Sequence, residues 1–431
     1  MSTADGRNIP VILHSISNEH KIPEEMYMIP STWKRFQLSQ LINNLLENVS
    51  AVPFDFFIGE DSAGGKLTSV LSNHSNGEET LHLSYVPSIL PPKHLSTYEH
   101  DDWVSSVSIN RTAHNEHKFL TTSYDGVASV WNSRSEKTVE LLGHVGPVLA
   151  GEWVGNAVVT GGRDCTVRMW DIDAGKPSQT LQCTAHAAPV SALAVAPPLL
   201  PSEPHTLLSS DWDGLVCLWD TRTPSAHEVD ADPEEPVKKR RKSKSAAVEA
   251  VRKAPIHRLR GHTGAVNGVF FAKEDQTRAY SAGADHTLRL WDVGVGLESD
   301  SRVAASALRC VDSLNLHGVA VSGHVDRSVC VWDTRSSSTS NVAQKLWGHG
   351  SVVESVASHP HSPHHLASAA LDGNVKLWDV RSPKQALFTV VRKPANGKTE
   401  KQNKILGVDW DGGLLASGGE DCAMQLHEAR A

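Results

Sequence analysis

The chain has 431 residues, of which 39% are hydrophobic and 21% are charged, and its formal net charge is −8. This composition is typical of a globular protein and argues against a surface covered with nucleic-acid-binding charge. Six scattered cysteines without a C-x-x-C pair indicate neither a disulfide framework nor a zinc site. The absence of a signal-like start or a long apolar run leads us to expect a soluble intracellular protein.

The first predicted region, residues 9–87, has no repeat. Strands are expected at residues 11–13, near 21–22, at 53–58 and at 80–86. Between the second and third strands, Ser39 would cap a helix whose apolar residues recur one turn apart, at Leu41, Ile42, Leu45 and Leu46. This order is that of a ubiquitin-like β-grasp domain, or of an ordinary α+β cap, and the pattern by itself does not separate the two.

The rest of the chain repeats a set of markers. Six units carry a tryptophan, usually followed by aspartate: Trp131, Trp170, Trp219, Trp291, Trp332 and Trp378. An aspartate stands six residues before each of these, and a seventh stands six before His427: Asp125, Asp164, Asp213, Asp285, Asp326, Asp372 and Asp421. A hydroxyl residue precedes each aspartate by four positions, and the alternating apolar residues after it are typical of a half-buried strand. Seven blade-like units are therefore predicted.

These markers have a structural explanation. Tight turns leave buried polar groups that need partners, and aspartate, a hydroxyl, the Trp N–H and a histidine from the preceding loop can satisfy one another. The histidine candidates are His100, His144, His186, His262 and His349, so we expect units five and seven to have incomplete networks. Catalysis would not require the same residues in every unit, so we interpret them as scaffold. The last unit ends too early for an outer strand, which predicts that residues 95–99 pair with it.

An insert lengthens the interval between the third and fourth aspartates to 72 residues, against 39 to 49 elsewhere. An acidic run at 230–235 is followed by a basic run: Lys238, Lys239, Arg240, Arg241 and Lys242. Such a segment is expected to be a disordered loop over about residues 222–254. The basic run is interpreted as a nuclear localisation signal, with contact to RNA phosphate as a second use and a merely solvated loop as the alternative.

The repeat resembles the WD-repeat family. Residues 38–46, 52–56, Tyr85, 89–92 and 100–106 also resemble one branch of it, the ribosome-biogenesis proteins of the PeBoW complex, called the YTM family in fungi and the WD-repeat-protein-twelve family in animals. The resemblance implies an all-β seven-bladed WD-repeat propeller with an N-terminal α+β ubiquitin-like domain. The expected boundaries are 9–87 for that domain, 88–93 for a linker and 94–431 for the propeller.

The same resemblance implies a function without catalysis. Proteins of this family act in maturation of the large ribosomal subunit precursor, in the nucleolus and nucleoplasm. Their propeller binds the Bop subunit, which is joined to Pescadillo, and their ubiquitin-like domain offers a carboxylate to the metal held by the MIDAS domain of the AAA+ ATPase midasin. That carboxylate corresponds to Glu78 here, with Glu79 as the alternative. A hard cation with an open position accepts such a ligand, and no metal or cofactor of its own is expected.

Two other functions compete with this one. A Notchless-type factor shares the plan of a ubiquitin-like domain and a propeller, but it carries an extra blade. An adaptor of the ubiquitin pathway would use the β-grasp domain as a ubiquitin mimic and the propeller to select substrates, and the sequence does not exclude it. An enzymatic function has no candidate site to support it.

Overall fold

The computed structural model describes residues 8–15, 21–23, 25–46, 52–58, 80–88, 90–110, 117–172, 178–196, 205–222, 227–228, 250–273, 275–335, 342–392 and 403–429. The chain divides into two compact units: a smaller one of Met1–Pro91 with Asp379–Ser382 and Ala429–Ala431, and a larger one of Pro92–Trp378 with Pro383–Glu428. Each unit is described by itself.

The described part of the smaller unit contains four strands and one helix: β1 (Asn8–Ser15), β2 (Met26–Pro30), α1 (Arg35–Leu45), β3 (Phe54–Ile58) and β4 (Leu81–Pro87). The strands lie in the order β2-β1-β4-β3, with β1 and β4 parallel and the other pairs antiparallel. A parallel central pair flanked by hairpin partners, with one helix crossing the sheet, is the β-grasp arrangement. The predicted ubiquitin-like domain is therefore confirmed.

Two details of the smaller unit differ from the prediction. Ser39 does not cap the helix, because it lies inside α1, where its hydroxyl accepts the N–H of Phe54 at 3.1 Å and so joins the helix to β3. The second strand is Met26–Pro30 rather than a segment near Lys21. Ile22 is instead a core residue, buried like Leu38 and Ile42 of the helix. Burial against the sheet, rather than a terminal hydroxyl, determines where these residues lie.

The larger unit opens with β5 (Lys93–Glu99), so Lys93 belongs to a strand and not to the predicted linker. The next strands form blades one to three: β6 (Val104–Ile109), β7 (Lys118–Ser123), β8 (Val127–Asn132) and β9 (Lys137–Leu142); β10 (Val148–Val154), β11 (Ala157–Gly162), β12 (Val167–Asp171) and β13 (Ser178–Cys183), joined by β17 (Val251–Lys253); β14 (Val190–Ala196), β15 (Thr206–Asp211), β16 (Leu215–Asp220) and β18 (His257–Arg260).

Blades four to seven continue the series: β19 (Val266–Phe271), β20 (Arg278–Gly283), β21 (Thr287–Asp292) and β22 (Leu297–Val303); β23 (Leu308–Ser313), β24 (Val319–His324), β25 (Ser328–Asp333) and β26 (Val342–Trp347); β27 (Val353–Ser358), β28 (His365–Ala370), β29 (Asn374–Asp379) and β30 (Phe388–Val391); β31 (Ile405–Asp411), β32 (Leu414–Gly419) and β33 (Ala423–Glu428). Seven sheets in the described part of this unit, one for each aspartate marker, form the predicted propeller.

The ring closes through an exchanged strand. β5 pairs antiparallel with β33, from Glu99 opposite Ala423 to Lys93 opposite Glu428. The outer strand of blade seven thus comes from the chain that precedes blade one, which confirms the pairing predicted for residues 95–99. Closure of this kind leaves the ring without an open seam at its ends.

The prediction of a disordered loop over residues 222–254 is wrong at its C-terminal end. Val251–Lys253 forms β17, which pairs parallel with β13 and becomes a fifth strand of blade two. Glu228 forms an isolated antiparallel bridge with Lys253, so both ends of the insert meet at this strand. Residues 229–249, including the basic run Lys238, Lys239, Arg240, Arg241 and Lys242, lie outside the described residues.

Candidate protein-binding surfaces

Blades two, four and six contain the predicted four-residue network. In blade four, His262 Nδ1 lies 2.9 Å from Asp285, His262 Nε2 lies 2.7 Å from Ser281 Oγ, and the Trp291 N–H donates to the same hydroxyl at 2.8 Å. Because the carboxylate only accepts, Nδ1 carries the proton and Nε2 accepts from the serine. The equivalent groups in blades two and six are His144, Asp164, Thr160 and Trp170, and His349, Asp372, Ser368 and Trp378.

In blades one and three the histidine of the network does not bond to the marker aspartate. In blade one, His100 Nε2 contacts Thr121, which also accepts the Trp131 N–H, but His100 Nδ1 bonds to the Tyr98 carbonyl oxygen rather than to Asp125. In blade three the histidine, His186, bonds to Asp211 at 2.8 Å.

The prediction that Asp213 fills this role is therefore wrong. Asp213 is exposed, and its N–H donates to the buried carboxylate of Asp211 at 3.0 Å. Asp211 and Asp213 stand two residues apart in one turn. Asp211 bonds to His186 because only its side chain points inward from the end of β15.

Blade five completes its hydroxyl network from an unpredicted source. His324, at the end of β24, places Nε2 at 2.8 Å from Ser322 Oγ, which also accepts the Trp332 N–H at 2.6 Å. Asp326 instead accepts the N–H and hydroxyl of Ser328. The predicted incomplete network in unit five is thus wrong for Ser322 and Trp332, because His324 supplies the histidine from within the blade, but it is confirmed for Asp326, since His324 Nδ1 bonds to the Ser306 carbonyl oxygen instead.

Blade seven departs furthest. Ser417 Oγ has no hydrogen-bond partner among the described residues, as expected for a unit without its histidine. Asp421 is instead bonded through both oxygens to Arg392, at 2.8 and 2.9 Å, and both side chains are fully buried. His427 stands in the tryptophan position and packs edge-on against His94.

The pKa values of groups in and near these networks are those expected of structural rather than reactive side chains. Burial raises the pKa of Asp372, but hydrogen bonds from His349 and from the N–H groups of Gly350 and Asn374 outweigh it and lower that pKa to about 2. Burial raises the pKa of the Cys183 and Cys217 thiols to about 12, so neither is a reactive thiolate. Buried, mutually satisfied groups of this kind hold turns in place.

One face of the propeller is defined by seven equivalent backbone hydrogen bonds. In each blade the residue before the marker aspartate donates its N–H to the carbonyl of the residue that precedes the inner strand, at 2.7 to 3.2 Å. We call the fourteen residues that share these bonds the turn face. The pairs are Tyr124 and Trp103, Arg163 and Pro147, Trp212 and Pro189, Ala284 and Ala265, Val325 and Ala307, Leu371 and Val352, and Glu420 and Lys404.

Most members of the turn face carry uncharged side chains, and six of the fourteen are exposed. Only Arg163, Lys404 and Glu420 among its members are charged, and the last two form an ion pair at 2.9 Å. Trp103 is 41% exposed and Trp212 is 45% exposed. Exposed apolar surface with aromatic anchors is characteristic of protein-binding sites. Sequence reasoning missed this face, although the residue directly before each marker aspartate would have located half of it.

A central cavity of about 440 Å³ opens between the inner strands. Near the turn face it is crossed by Arg309, whose Nε lies 2.6 Å from Glu354 and whose Nη2 contacts the second carboxylate oxygen. The Glu354 hydrogen bonds raise the pKa of Arg309, and burial together with Glu354 raises the pKa of Tyr124. Trp103 packs edge-on against Tyr124, with ring centroids 5.6 Å apart. An aromatic pair therefore adjoins a fixed ion pair.

The smaller unit exposes its own apolar patch. Met26 and Met28 of the edge strand β2 are 61% and 62% exposed. Their register partners on β1 are Ile12 and Pro10, which are half-buried. These four residues form what we call the outer sheet patch. Methionine side chains are flexible and polarisable, so they adapt readily to a partner surface.

The predicted metal-reaching residues, Glu78 and Glu79, lie outside the described residues. Within the described ranges no three His, Cys, Asp or Glu side chains come together as a metal site would require. No helix of the described chain is long and apolar enough to cross a membrane.

Comparison with known proteins gives the same division of the chain. The NLE (NUC135) domain matches residues 9–74, and the WD domain, G-beta repeat, matches residues 92–132, 136–171, 175–220, 253–292 and 340–379. The ribosome biogenesis protein YTM1 of Laccaria bicolor is 34% identical over 95% of this chain and 92% of its own length. YTM1 of Coprinopsis cinerea is 32% identical over 95% and 92%, and that of Aspergillus oryzae 31% identical over 98% and 95%.

The chain belongs to the YTM1 family of ribosome biogenesis proteins. The resemblance drawn from residues 38–46, 52–56 and 89–106 is thereby confirmed. The five WD matches correspond to blades one, two, three, four and six. Blades five and seven, which fall outside those matches, are the two whose networks depart most from the repeat: His324 comes from within blade five, and Arg392 bonds to the turn aspartate of blade seven.

Proposed function

We propose that this YTM1-family protein is a non-enzymatic assembly factor for the large (60S) ribosomal subunit and for pre-rRNA processing, acting in the nucleolus and nucleoplasm. In this proposal the propeller binds a Bop-family propeller protein, and through it Pescadillo, while the ubiquitin-like domain binds the MIDAS domain of midasin for release from the pre-ribosome. The observation that carries the proposal is the apolar turn face with its two exposed tryptophans.

The turn face is proposed as the docking surface for the Bop-family partner. Apolar side chains cover most of it, so a partner can exclude water over a continuous area without desolvating many charges. Trp103 and Trp212 supply the large aromatic anchors on which binding energy usually concentrates. Arg163 and the Lys404–Glu420 pair lie among them as polar contacts that would fix the orientation.

Binding measurements with turn-face variants test this assignment. Replacing an anchor, Trp212→Ala or Trp103→Ala, is expected to weaken binding to the purified Bop-family propeller at least about 30-fold, because hot-spot truncations cost about 2 kcal/mol or more. Trp347→Ala is the matched control, since Trp347 is 52% exposed at the end of an outer strand and is not part of the turn face. Equal affinities for all three variants and the wild type would show that the partner binds another face.

The outer sheet patch supports the second contact. A ligating carboxylate contributes little affinity without surrounding surface, and Met26 and Met28 provide adaptable apolar area on the same small domain. Glu78 is the proposed ligand of the metal in the MIDAS domain, with Glu79 as the alternative, and a carboxylate oxygen suits such a hard cation.

This contact is tested with the purified MIDAS domain in Mg²⁺ and again after chelation. Glu78→Gln should abolish the Mg²⁺-dependent part of the binding if Glu78 is the ligand, and Glu79→Gln should do so if Glu79 is. Met26→Ser with Met28→Ser should weaken binding while leaving its Mg²⁺ dependence intact. Retention of full Mg²⁺-dependent binding by the Glu78→Gln, Glu79→Gln double variant would reject both ligands.

The basic run Lys238–Lys242 is proposed as the nuclear localisation signal, with contact to rRNA phosphate as a second role for the same charges. Neutralising all five residues to Gln is expected to shift a fluorescent fusion from the nucleus to the cytoplasm. A steeper salt dependence of RNA binding in the wild type than in this variant would support the phosphate contact.

A further inference from the structure

The seams between blades are crossed near the turn face by a recurring hydrogen bond. The second residue of an inner strand donates its side chain to the carbonyl oxygen of the first residue of the next inner strand. Ser105 Oγ lies 2.6 Å from the Val148 oxygen between blades one and two, and Asn267 Nδ2 lies 2.7 Å from the Leu308 oxygen between blades four and five. Ser191 makes the same bond to Val266 between blades three and four.

Two further seams are also closed by polar side chains. Arg309 and Glu354, each the second residue of its inner strand, form the ion pair between blades five and six. Between blades six and seven, Ser355 Oγ accepts the Val408 N–H at 3.2 Å. Five of the seven seams thus have a polar side-chain bond at or next to this position.

The two remaining seams have leucine at this position. Leu149 is the second residue of β10, facing blade three, and Leu406 is the second residue of β31, facing blade one. A leucine side chain cannot donate a hydrogen bond. At each of these two seams the blades are also connected at their outer edge: β5, which leads into blade one, pairs with blade seven, and β17, which precedes the last strand of blade three, pairs with blade two.

The attachment of β17 is well defined. Leu181, Gln182 and Cys183 of β13 lie in register with Val251, Arg252 and Lys253. Lys253 is 2% exposed, and its ammonium donates to the carbonyl oxygen of Asp220 at 2.8 Å and to that of Arg222, both in the segment that leaves the third strand of blade three. One short strand therefore hydrogen-bonds to blade two through its backbone and to blade three through its side chain.

We propose that Val251–Lys253 is an internal lock of the propeller, a strand of the insert that ties the outer edge of blade two to blade three, as β5 ties the chain entering blade one to the outer edge of blade seven. In this role the insert has a structural function that is separate from its basic run.

Hydrogen exchange measured by mass spectrometry on the full chain tests the lock. Arg252→Pro removes an N–H and constrains the backbone of β17, while the exposed Arg252 side chain itself is dispensable, so Arg252→Ala is the matched control. The proline variant is expected to exchange about tenfold faster in β13 and β16, the strands that β17 contacts through its backbone and through Lys253, and at wild-type rates in β23 and β27. Unchanged exchange in β13 and β16 would overturn the proposal.

A second variant keeps the test decisive if the proline variant does not fold. Lys253→Met preserves the strand and its volume but removes the donors to blade three, so it should accelerate exchange in β16 and leave β13 protected. Failure of Lys253→Met to affect β16 would show that β17 does not hold blade three.

Discussion

Blades four and seven stabilise the same turn with different side chains as partners of the turn aspartate. In blade four a neutral histidine joins the turn aspartate, Asp285, to Ser281 and Trp291, and every member has a partner. In blade seven Arg392 takes the aspartate, Asp421, and leaves Ser417 Oγ and two of its own nitrogens without a partner in the described chain. The first arrangement is a fully hydrogen-bonded network of one carboxylate and a neutral histidine, and the second is a buried ion pair.

The difference teaches that the aspartate is the fixed requirement of the turn and its partner is replaceable. A buried carboxylate must be hydrogen-bonded wherever it occurs, but imidazole and guanidinium both serve. The two partners differ in the cost of their removal. Loss of the histidine leaves groups that retain other bonds, whereas loss of the guanidinium leaves an uncompensated charge.

The largest expected effect is therefore in blade seven. Arg392→Met keeps the volume of the side chain but leaves Asp421 buried without its counter-charge, and we expect a loss of about 3–5 kcal/mol in the free energy of unfolding. Urea denaturation of the full chain measures it. The double variant with Asp421→Asn should recover part of the loss because the unpaired charge is gone. A double variant as unstable as the single one would mean that the ion pair is not what the turn depends on.

A smaller effect on stability should distinguish Ser281 of blade four from Ser417 of blade seven. Ser281→Ala in blade four leaves the Trp291 N–H and His262 Nε2 without their shared partner and is expected to cost about 1–3 kcal/mol. Ser417→Ala in blade seven removes a hydroxyl that already lacks a partner and should change stability by less than about 0.5 kcal/mol. Equal losses in the two variants, measured by the same denaturation, would contradict this contrast.

These contrasts also show which parts of the fold are predictable from the sequence. The seven marker aspartates predicted the blade number because the turn recurs in every blade and most of these carboxylates accept a backbone N–H two residues on, as Asp125 does from Val127 and Asp372 from Asn374. Asp213 was assigned wrongly because Asp211 lies two residues away, and spacing does not tell which carboxylate is buried. His324 was overlooked because it follows its serine on the strand instead of coming from the preceding loop.

The candidate surfaces were less predictable for a physical reason. A turn-face position is fixed by a backbone hydrogen bond, so Trp212, Ala284 and Glu420 occupy equivalent places without any shared side chain. Likewise β17 is three residues long and follows a charged run, so neither length nor periodicity marks it as a strand. Its position depends on pairing with β13, which is a tertiary contact.

The last expected effect is a difference in pH dependence between blades six and seven. Burial, followed by the charges of His94 and Arg392, lowers the pKa of His427 to about 4. Its ordinary value is 6.5, so as the pH falls below 6.5 the unfolded chain takes up a proton that the fold does not. Stability is therefore full above pH 6.5 and is lost progressively as the pH falls to about 4.

Blade six responds only at lower pH. The pKa of Asp372 is lowered from 3.8 to about 2, so its contribution is present above pH 3.8 and is lost as the pH falls toward 2. His427→Phe should therefore flatten the dependence of the thermal midpoint on pH between 6.5 and 4, and Asp372→Asn should flatten it only below 4. His100 of blade one also has a pKa lowered to about 4, by burial, so His427→Phe is expected to remove part of the upper slope and not all of it. An unchanged slope between pH 6.5 and 4 in His427→Phe would mean that blade seven does not titrate in this range.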